Sequence, residues 1–330
     1  MPCASSLPAP CRCPSRPTPP RSPRPQGRCA PGKPPRPATA ARSPCTKAAD
    51  EQSAEPAEPE LAILSRAEAP ASAFEQPATR EAPAILVLGP VTIEGATGRI
   101  DSNRRSAGTE LTAYLALHPG VDHHAVDDAL WPGRLVNKNM RNAVISRTRS
   151  WLGKDPEGKP HLPRVQDTGD SRYRLGDEVT CDWSQFQQLA RTGLAHHDDD
   201  GTRALRNALS LVRGRPFTGI DPQRYTWAEP DVQEMVSAIV DVAYELSTRA
   251  REAGDHTGAL WAARRGLLAA EESELLHRQV FLAHYAAGDT NGLRAAAARL
   301  TRINEQLGGG VDMEAETAEL LRTLLPQRPS

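Results

Sequence analysis

A short motif near the end of the chain is repeated at a fixed distance. Ala253-Gly254-Asp255 recurs as Ala287-Gly288-Asp289, so the two glycines lie 34 positions apart. The match continues at Gly258 and Gly292, at Ala262-Ala263 and Ala296-Ala297, and at Arg265 and Arg299. A unit of this length holds two helices and a turn, and it buries its apolar face only by stacking on a neighbour. The C-terminal part of the chain is therefore predicted to consist of paired, stacked helices.

The period of the repeat is that of tetratricopeptide (TPR) helical hairpins. It predicts helices at Ala228–Glu252, His256–Ala269, Ser273–Ala287 and Thr290–Leu307, with a capping helix at Glu314–Leu325. The buried stripe is expected to include Ile239, Val242, Ala243, Leu246, Val280, Leu282, Ala283 and Ala286. A plain helical bundle with a coincidental repeat is the alternative. A stacked array would offer an extended surface to a protein partner.

A basic amphipathic stretch, Asn137–Leu152, lies in the middle of the chain. At roughly 100° per residue, one face carries Met140, Val144, Thr148, Trp151 and Leu152. The opposite face carries Lys138, Asn139, Asn142, Ser146 and Arg149, and the stretch contains no carboxylate. Lys and Arg neutralise phosphates, and Arg and Asn can read guanine and adenine edges, so the pattern indicates a helix in a DNA groove. A solvated basic face without a ligand is the alternative.

The elements before this stretch are predicted from turn and cap signals. Ile85–Gly89 and Val91–Ile93 are apolar, strand-like runs separated by Gly-Pro. Arg104–His118 and Asp122–Leu130 have apolar residues at helical spacing, with Asp122 as an N-cap. Gly153 is expected to end the basic helix. A short glycine-containing connection joins the second and third helices, as in a helix-turn-helix.

A basic hairpin is predicted after the third helix. His161–Val165 and Arg172–Leu175 flank a turn that contains Gly169-Asp170. Such a hairpin would make the fold a winged helix-turn-helix and would contact phosphates or the minor groove. Beyond it, Asp182 and Gln185 have the spacing of a capping box that opens the next helix.

The string TELTAYLALHPG…ALWPG…MRNAVISRTRSWLG…SRYRL…CDWSQF resembles the winged-helix domain of the Streptomyces antibiotic regulatory protein family. That domain is similar to the one in OmpR-type response regulators. The later segment ALSLVRGRPFTGI resembles the start of the bacterial transcriptional activator domain that follows it in the family. The resemblance covers roughly residues 85–325 and implies a transcriptional activator. Thr148 replaces a usual leucine and Arg172 a usual glycine, so we expect a weaker buried face and an altered hairpin turn.

The candidate DNA contacts fall into two groups. The residues expected in the groove are Lys138, Asn139, Asn142, Ser146 and Arg149. The residues expected to contact phosphates are Arg134, Arg141, Arg147, Arg164, Arg172 and Arg174. Helical spacing turns Arg147 away from the groove face.

Composition divides the chain into three regions. Residues 1–80 hold 18 of the 30 prolines and five of the six cysteines, and they change from Pro/Arg-rich to acidic and Ala-rich. They are predicted to be disordered, because too few large apolar side chains are present to offset chain entropy. Residues 81–182 are the predicted OmpR-like winged helix, and residues 183–330 the TPR-like helical domain. The expected fold class is mainly α, with an α+β winged helix at the start.

The chain shows no sequence signature of an enzyme. The P-loop, HExxH, GxSxG and dinucleotide-binding patterns are missing from the sequence. We therefore predict no catalytic residue, no cofactor and no metal. His123-His124 and His196-His197 are adjacent pairs whose side chains point to different faces, and neither pair predicts a metal site. Cys181 is expected to be a small packed residue rather than a reactive thiolate.

The sequence thus predicts a DNA-binding transcriptional regulator, an activator, with homodimerisation or contact with RNA polymerase through the helical domain. No apolar run approaches the roughly 18 residues that span a bilayer, and no secretory apolar region follows the start, so a cytoplasmic protein is expected. The net charge of −1 neither favours nor excludes nucleic acid. The alternative is a protein-interaction module of the same architecture without sequence-specific DNA binding. The resemblance extends to versions fused to long cell-envelope-associated proteins in actinobacteria.

Overall fold

The computed structural model of the chain describes residues 82–221, 223–307 and 312–325. The prediction of disorder for residues 1–80 lies outside these ranges. The described strands are β1 (Ala84–Leu86), β2 (Thr92–Glu94) and β3 (Thr180–Cys181). The described helices are α1 (Ser102–Leu117), α2 (His123–Leu130), α3 (Lys138–Leu152), α4 (Asp182–Ala195), α5 (Asp199–Ser210), α6 (Glu229–Glu252), α7 (His256–Leu267), α8 (Glu274–Ala286), α9 (Thr290–Gln306) and α10 (Ala315–Leu324). The described part of the chain is mainly helical, as predicted.

The first half of the described chain contains the predicted two strands and three helices in the predicted order. Asp122 is the N-cap of α2, and its carboxylate accepts a hydrogen bond from the N–H of Ala125 at 3.0 Å. The apolar sides of α1, α2 and α3 meet in a core that includes Leu111, Val126 and Trp151. None of the helices in the described ranges has the length and apolar character needed to cross a membrane.

The small sheet joins the start of the described chain to its middle, with strand order β2-β1-β3. Ile85 of β1 lies opposite Ile93 of antiparallel β2 and beside Cys181 of parallel β3. Cys181 is 7% exposed, and burial raises the pKa of its thiol to about 11. The thiol therefore stays protonated near neutrality, which confirms the prediction of a packed residue.

Asp182 corrects the predicted capping box. Helix α4 begins at Asp182 itself, and no side-chain hydrogen bond caps it. The carboxylate instead accepts hydrogen bonds from the N–H groups of Val87, at 2.8 Å, and Leu88, at 3.1 Å. These two amides follow β1 in the core and need an acceptor, because an unpaired buried backbone donor is costly. Asp182 thus ties β1 to α4.

The repeated motif forms the same turn twice. Gly254 and Gly288 have φ values of +78° and +70°, a region that favours glycine. After each glycine an aspartate caps the next helix: Asp255 accepts from the N–H of Gly258 at 2.7 Å, and Asp289 from the N–H of Gly292 at 2.8 Å. The helix bounds agree with the predicted ones within a few residues. The repeat is therefore structural, and the predicted helical hairpins are confirmed.

The buried stripe of these helices is mostly as predicted. Ile239, Val242, Ala243, Leu246, Val280 and Ala283 are buried. Helices α6 and α7 approach closely, since a Cβ added at Gly266 would lie 2.5 Å from the Cβ of Ala243. The prediction was wrong for Ala286, which is exposed, and Leu282 is only partly buried. Phe281 takes the core position because it packs with Leu293 and Leu300 of α9, a contact that sets the rotation of α8.

The two halves of the described chain share a continuous core. Ile85 and Leu88, beside the sheet, belong to the same apolar cluster as Phe186 of α4 and Met235 of α6. Polar contacts cross the same boundary. The Arg224 guanidinium donates to the Glu110 carboxylate of α1 from Nε at 3.1 Å and from Nη2 at 2.5 Å, and His118 lies 3.2 Å from Asp231. The position of α1–α3 is therefore fixed against the helical array.

Candidate nucleic-acid interface

Residues at both ends of helix α3 determine where the helix begins and ends. The side-chain oxygen of Asn137 accepts a hydrogen bond from the N–H of Met140 at 2.8 Å and caps the first turn. Gly153 ends the helix with a φ of +86°. A Cβ at that position would lie 2.0 Å from the hydroxyl oxygen of Thr97, so conformation and space both require glycine.

The packed face of α3 contains Ile145, Thr148, Trp151 and Leu152, all buried. Thr148 is completely buried, and its hydroxyl donates to the carbonyl of Val144 at 3.0 Å. Helix α1 comes close here, since a Cβ added at Gly108 would lie 3.3 Å from the Thr148 hydroxyl. Thr148 is therefore packed in place of the usual leucine, and the expected weakening of this face stays a prediction. The prediction that Met140 lies on the packed face was wrong. Met140 is 39% exposed, because it precedes the part of α3 that packs on α1.

The opposite face of α3 brings four of the predicted groove residues together. Lys138, Asn139, Asn142 and Ser146 are all exposed. Arg147, which helical spacing turns away from this face, is also exposed. This surface combines positive charge with side-chain amides and a hydroxyl, and α3 contributes no acid to it. Such a surface can contact both phosphates and base edges.

Arg141 is not available for the predicted phosphate contact. It is 8% exposed and forms an ion pair with the carboxylate of Asp127 on α2. The helical projection missed this because the partner belongs to a different helix. Arg141 instead links the first turn of α3 to α2.

The Arg149 side chain also binds groups within the protein. Its Nε donates to the backbone carbonyl of Leu162 at 2.7 Å, and its Nη2 to that of Pro163 at 3.2 Å. Burial, together with the positive charge of Arg164, lowers the pKa of the Arg149 guanidinium. The predicted groove contact is therefore unsupported, since the donors already bind the segment after α3.

The predicted hairpin after α3 is wrong. In the described chain, His161–Val165 and Arg172–Leu175 form no strand ladder, and Val165–Asp167 is a short 3-10 turn. Tyr173 pairs instead with the α1–α2 connection: its N–H donates to the carbonyl of Val121 at 2.7 Å. Its own carbonyl accepts from the N–H of Gly120 at 2.9 Å. The backbone of Tyr173 thus pairs with the α1–α2 connection and not with His161–Val165.

The remaining predicted arginines differ in their availability. Arg134 and Arg164 are exposed, and their guanidinium groups bond to no other residue in the described ranges. Arg172 donates from Nη1 to the carbonyl of Gly120 at 2.9 Å but stays exposed. Arg174 is paired with Asp170. Arg134 and Arg164 therefore remain the better candidates for a phosphate contact outside α3.

Sequence reasoning missed three arginines that lie beside α3. Arg99, Arg104 and Arg105 line a cleft of about 560 Å³ together with Ser146, Arg147 and Ser150 of α3. Their spacing carries no helical pattern that points to α3, so only the tertiary structure brings them to this surface. Within the residues that the structure describes, no cluster of His, Cys, Asp and Glu is suited to hold a metal ion.

One family model matches the second half of the described chain. Residues 181–325 match the family model described as the bacterial transcriptional activator domain, a range that spans α4 to α10. The fold resembles that of Mycobacterium tuberculosis EmbR, whose structure is a complex with a low affinity phosphopeptide. The TM-score is 0.51 and the identity 21%, over 75% of this chain and 66% of the EmbR chain. At this identity the likeness concerns the fold alone. No curated protein matches the chain.

Proposed function

We propose that this chain is a sequence-specific DNA-binding regulator that activates transcription. The observation that carries the proposal is the exposed face of α3, where Lys138, Asn139 and Asn142 lie together on a helix without acidic residues. Their side chains lie on the N-terminal half of α3. That is the part of a recognition helix that contacts base edges in a helix-turn-helix.

The surroundings of α3 support an OmpR-like winged helix-turn-helix. Helix α2 packs before α3 and is held by the ion pair between Asp127 and Arg141. The segment after α3 is held by Arg149 and carries the exposed Arg164, so it can serve as the wing without a regular hairpin. The likeness to EmbR covers 75% of the chain, which exceeds the range 181–325, so the shared fold extends beyond the helical array.

The helical half is proposed to supply the protein contacts of an activator of the Streptomyces antibiotic regulatory protein type. Residues 181–325 resemble the bacterial transcriptional activator domain, and a stack of helical hairpins offers a broad surface for partners. We infer a homodimer or a contact with RNA polymerase, in the cytoplasm. The core shared by the two halves would hold the partner surface at a fixed orientation to α3.

Selection from a random pool of duplexes tests this proposal. The full-length chain is incubated with the pool, and bound duplexes are sequenced over successive rounds. The proposal predicts enrichment of one motif by the wild-type chain, and a weaker or altered motif for Asn142→Ala. Ser210→Ala, in an exposed position of α5, is the matched control and should enrich the wild-type motif. Failure of the wild-type chain to enrich any motif would reject sequence-specific recognition.

One observation favours the alternative of a protein-interaction module. Leu135, in the connection between α2 and α3, is fully exposed at 105%, and Met140 near it is 39% exposed. Apolar side chains on a surface next to a helix are more typical of protein contacts than of phosphate contacts. If the module binds protein through this connection, Leu135→Ser should abolish partner capture and leave any enrichment of duplexes unchanged.

A further inference from the structure

An arginine-rich cleft lies at the C-terminal half of α3, apart from the predicted groove contacts on its N-terminal half. Residues 98–105 form one wall, and Ser146, Arg147 and Ser150 form the other. The cleft has a volume of about 560 Å³, enough for one or two phosphate groups with their water. Four arginines line it, against the single carboxylate of Asp101.

The wall formed by residues 98–105 is fixed in place by backbone contacts. The N–H of Gly98 donates to the carbonyl of Trp151 at 2.9 Å. A Cβ at Gly98 would lie only 1.9 Å from the carbonyl oxygen of Ser150, so the segment touches the helix as closely as glycine permits. Ile100 packs into the core of the first half. Arg99 is thus anchored between two fixed neighbours rather than carried on a free loop.

The charges in this cleft are poorly compensated by the protein. Arg104 lies 3.5 Å from Asp101, and both side chains are largely exposed, at 43% and 79%. The guanidinium groups of Arg99, Arg105 and Arg147 form no ion pair or hydrogen bond with other residues in the described ranges. This contrasts with Arg141 and Arg149, which bind protein acceptors. Several exposed guanidinium groups around one cleft repel each other unless an anion joins them.

The chemistry of the walls matches a phosphate. Guanidinium groups present paired donors that fit phosphate oxygens. Ser146, which also lines the cleft, carries a hydroxyl group that can donate to a phosphate oxygen. All of these groups donate hydrogen bonds, and together they give the cleft the donor set of a phosphate site.

We propose that this cleft binds the DNA backbone at the flank of the site contacted by α3, through Arg99, Arg104 and Arg105. The inference rests on the proposed function. Ser146 belongs both to the exposed face of α3 and to the cleft, so the two surfaces are continuous. A groove occupied by α3 is bordered by phosphates, and those at the C-terminal half of the helix lie beside the cleft. The contact adds affinity to any sequence and no base preference.

The test is the salt dependence of binding by the full-length chain to a labelled random-sequence duplex. The variant replaces Arg99, Arg104 and Arg105 with glutamine. Each lost phosphate contact reduces the slope of log K against log salt by about 1, so a reduction of about 2 to 3 is expected. The control variant has glutamine at three exposed arginines of the second half of the chain, Arg191, Arg203 and Arg322. It should leave the slope unchanged.

Two further measurements separate the possible outcomes. A triple Arg-to-Lys variant at positions 99, 104 and 105 keeps the charge and should retain most of the slope, and thermal unfolding checks that every variant is folded. A wild-type slope in the glutamine variant would overturn the cleft proposal while the proposed function stands. If the wild-type chain shows no salt-dependent binding, both fail. If pyrophosphate stabilises the wild-type chain but not the glutamine variant, and the DNA slope is unchanged, the cleft binds a free phosphate compound and the proposal is overturned.

Discussion

Arg149 and Leu162 join helix α3 to the segment that follows it. The guanidinium Nε donates to the carbonyl of Leu162 at 2.7 Å, and Leu162 is completely buried. A second hydrogen bond reaches the carbonyl of Pro163 at 3.2 Å. Because one side chain binds two successive carbonyls, the orientation of this segment is tied to α3. If the chain binds DNA as proposed, Arg149 acts on binding through the position of the segment that carries Arg164.

Replacement of Arg149 by alanine should reduce stability and should weaken DNA binding equally on all sequences. Hydrogen bonds that involve a charged group each contribute about 1.5–3 kcal/mol, so unfolding by denaturant should show a loss of about that size. Arg149→Lys should recover only part of it, since lysine lacks the planar fork of donors. A loss confined to the preferred duplex, with unchanged stability, would show instead that Arg149 contacts a base.

Substitutions of Asn142 and Lys138 should weaken DNA binding in different ways. Asn142→Ala removes a bidentate group and should cost about 1–3 kcal/mol on the preferred duplex, with little change on random DNA. Lys138→Ala should weaken binding on both duplexes and reduce the salt slope by about 1. Fluorescence anisotropy with the two duplexes at several salt concentrations measures both effects. Equal losses on both duplexes for Asn142→Ala would remove it from the base contacts.

Folding stability should depend on pH through Glu110. Burial raises the pKa of this carboxyl from its ordinary value of 4.5 to about 7, against the opposing influence of Arg224. The folded state therefore binds the proton more tightly than the unfolded state. The stabilisation is complete below the unfolded pKa and is lost as the pH rises through the folded pKa, a change of about 3 kcal/mol between pH 4.5 and 7.

Thermal unfolding of Glu110→Gln from pH 4.5 to 8 checks this effect. Glutamine stays neutral, so the part of the pH dependence that comes from position 110 should disappear and the curve should flatten. Glu178→Gln, an exposed carboxylate outside the core, should keep the wild-type curve. If Glu110→Gln unfolds with the wild-type dependence on pH, the carboxyl is not the group that titrates.

Asp182 should be among the residues most sensitive to substitution. Its carboxylate is nearly completely buried and accepts from the N–H groups of Val87 and Leu88. Asp182→Ala leaves both amides without this acceptor and should cost about 3–5 kcal/mol in denaturant unfolding. Asp199 is an exposed acid in the first turn of α5, and Asp199→Ala is the control. It should cost about 1 kcal/mol at most. A similar small loss for Asp182→Ala would mean that the tie between β1 and α4 contributes little.

Local signals predicted the elements of this chain well. Asn137 marks the start of α3 and Gly153 its end, and the Gly-Asp pairs of the repeat mark both turns of the array. These signals are readable from the sequence because caps and positive-φ glycines depend on neighbours along the chain. The use of each arginine was not predictable in this way. Arg141 binds Asp127 on another helix and Arg149 binds a following loop, while Arg99 reaches α3 only through the tertiary fold. Helical periodicity predicts which face of a helix carries a side chain, but not which group that side chain binds.

A gel shift of the full-length chain on a set of genomic fragments at rising salt tests whether the chain recognises DNA. We predict that a few fragments bind in preference to the rest and that log affinity falls linearly with log salt, as expected when Lys and Arg displace counterions from phosphates. Binding without a preferred fragment and without a fall at higher salt would contradict the account.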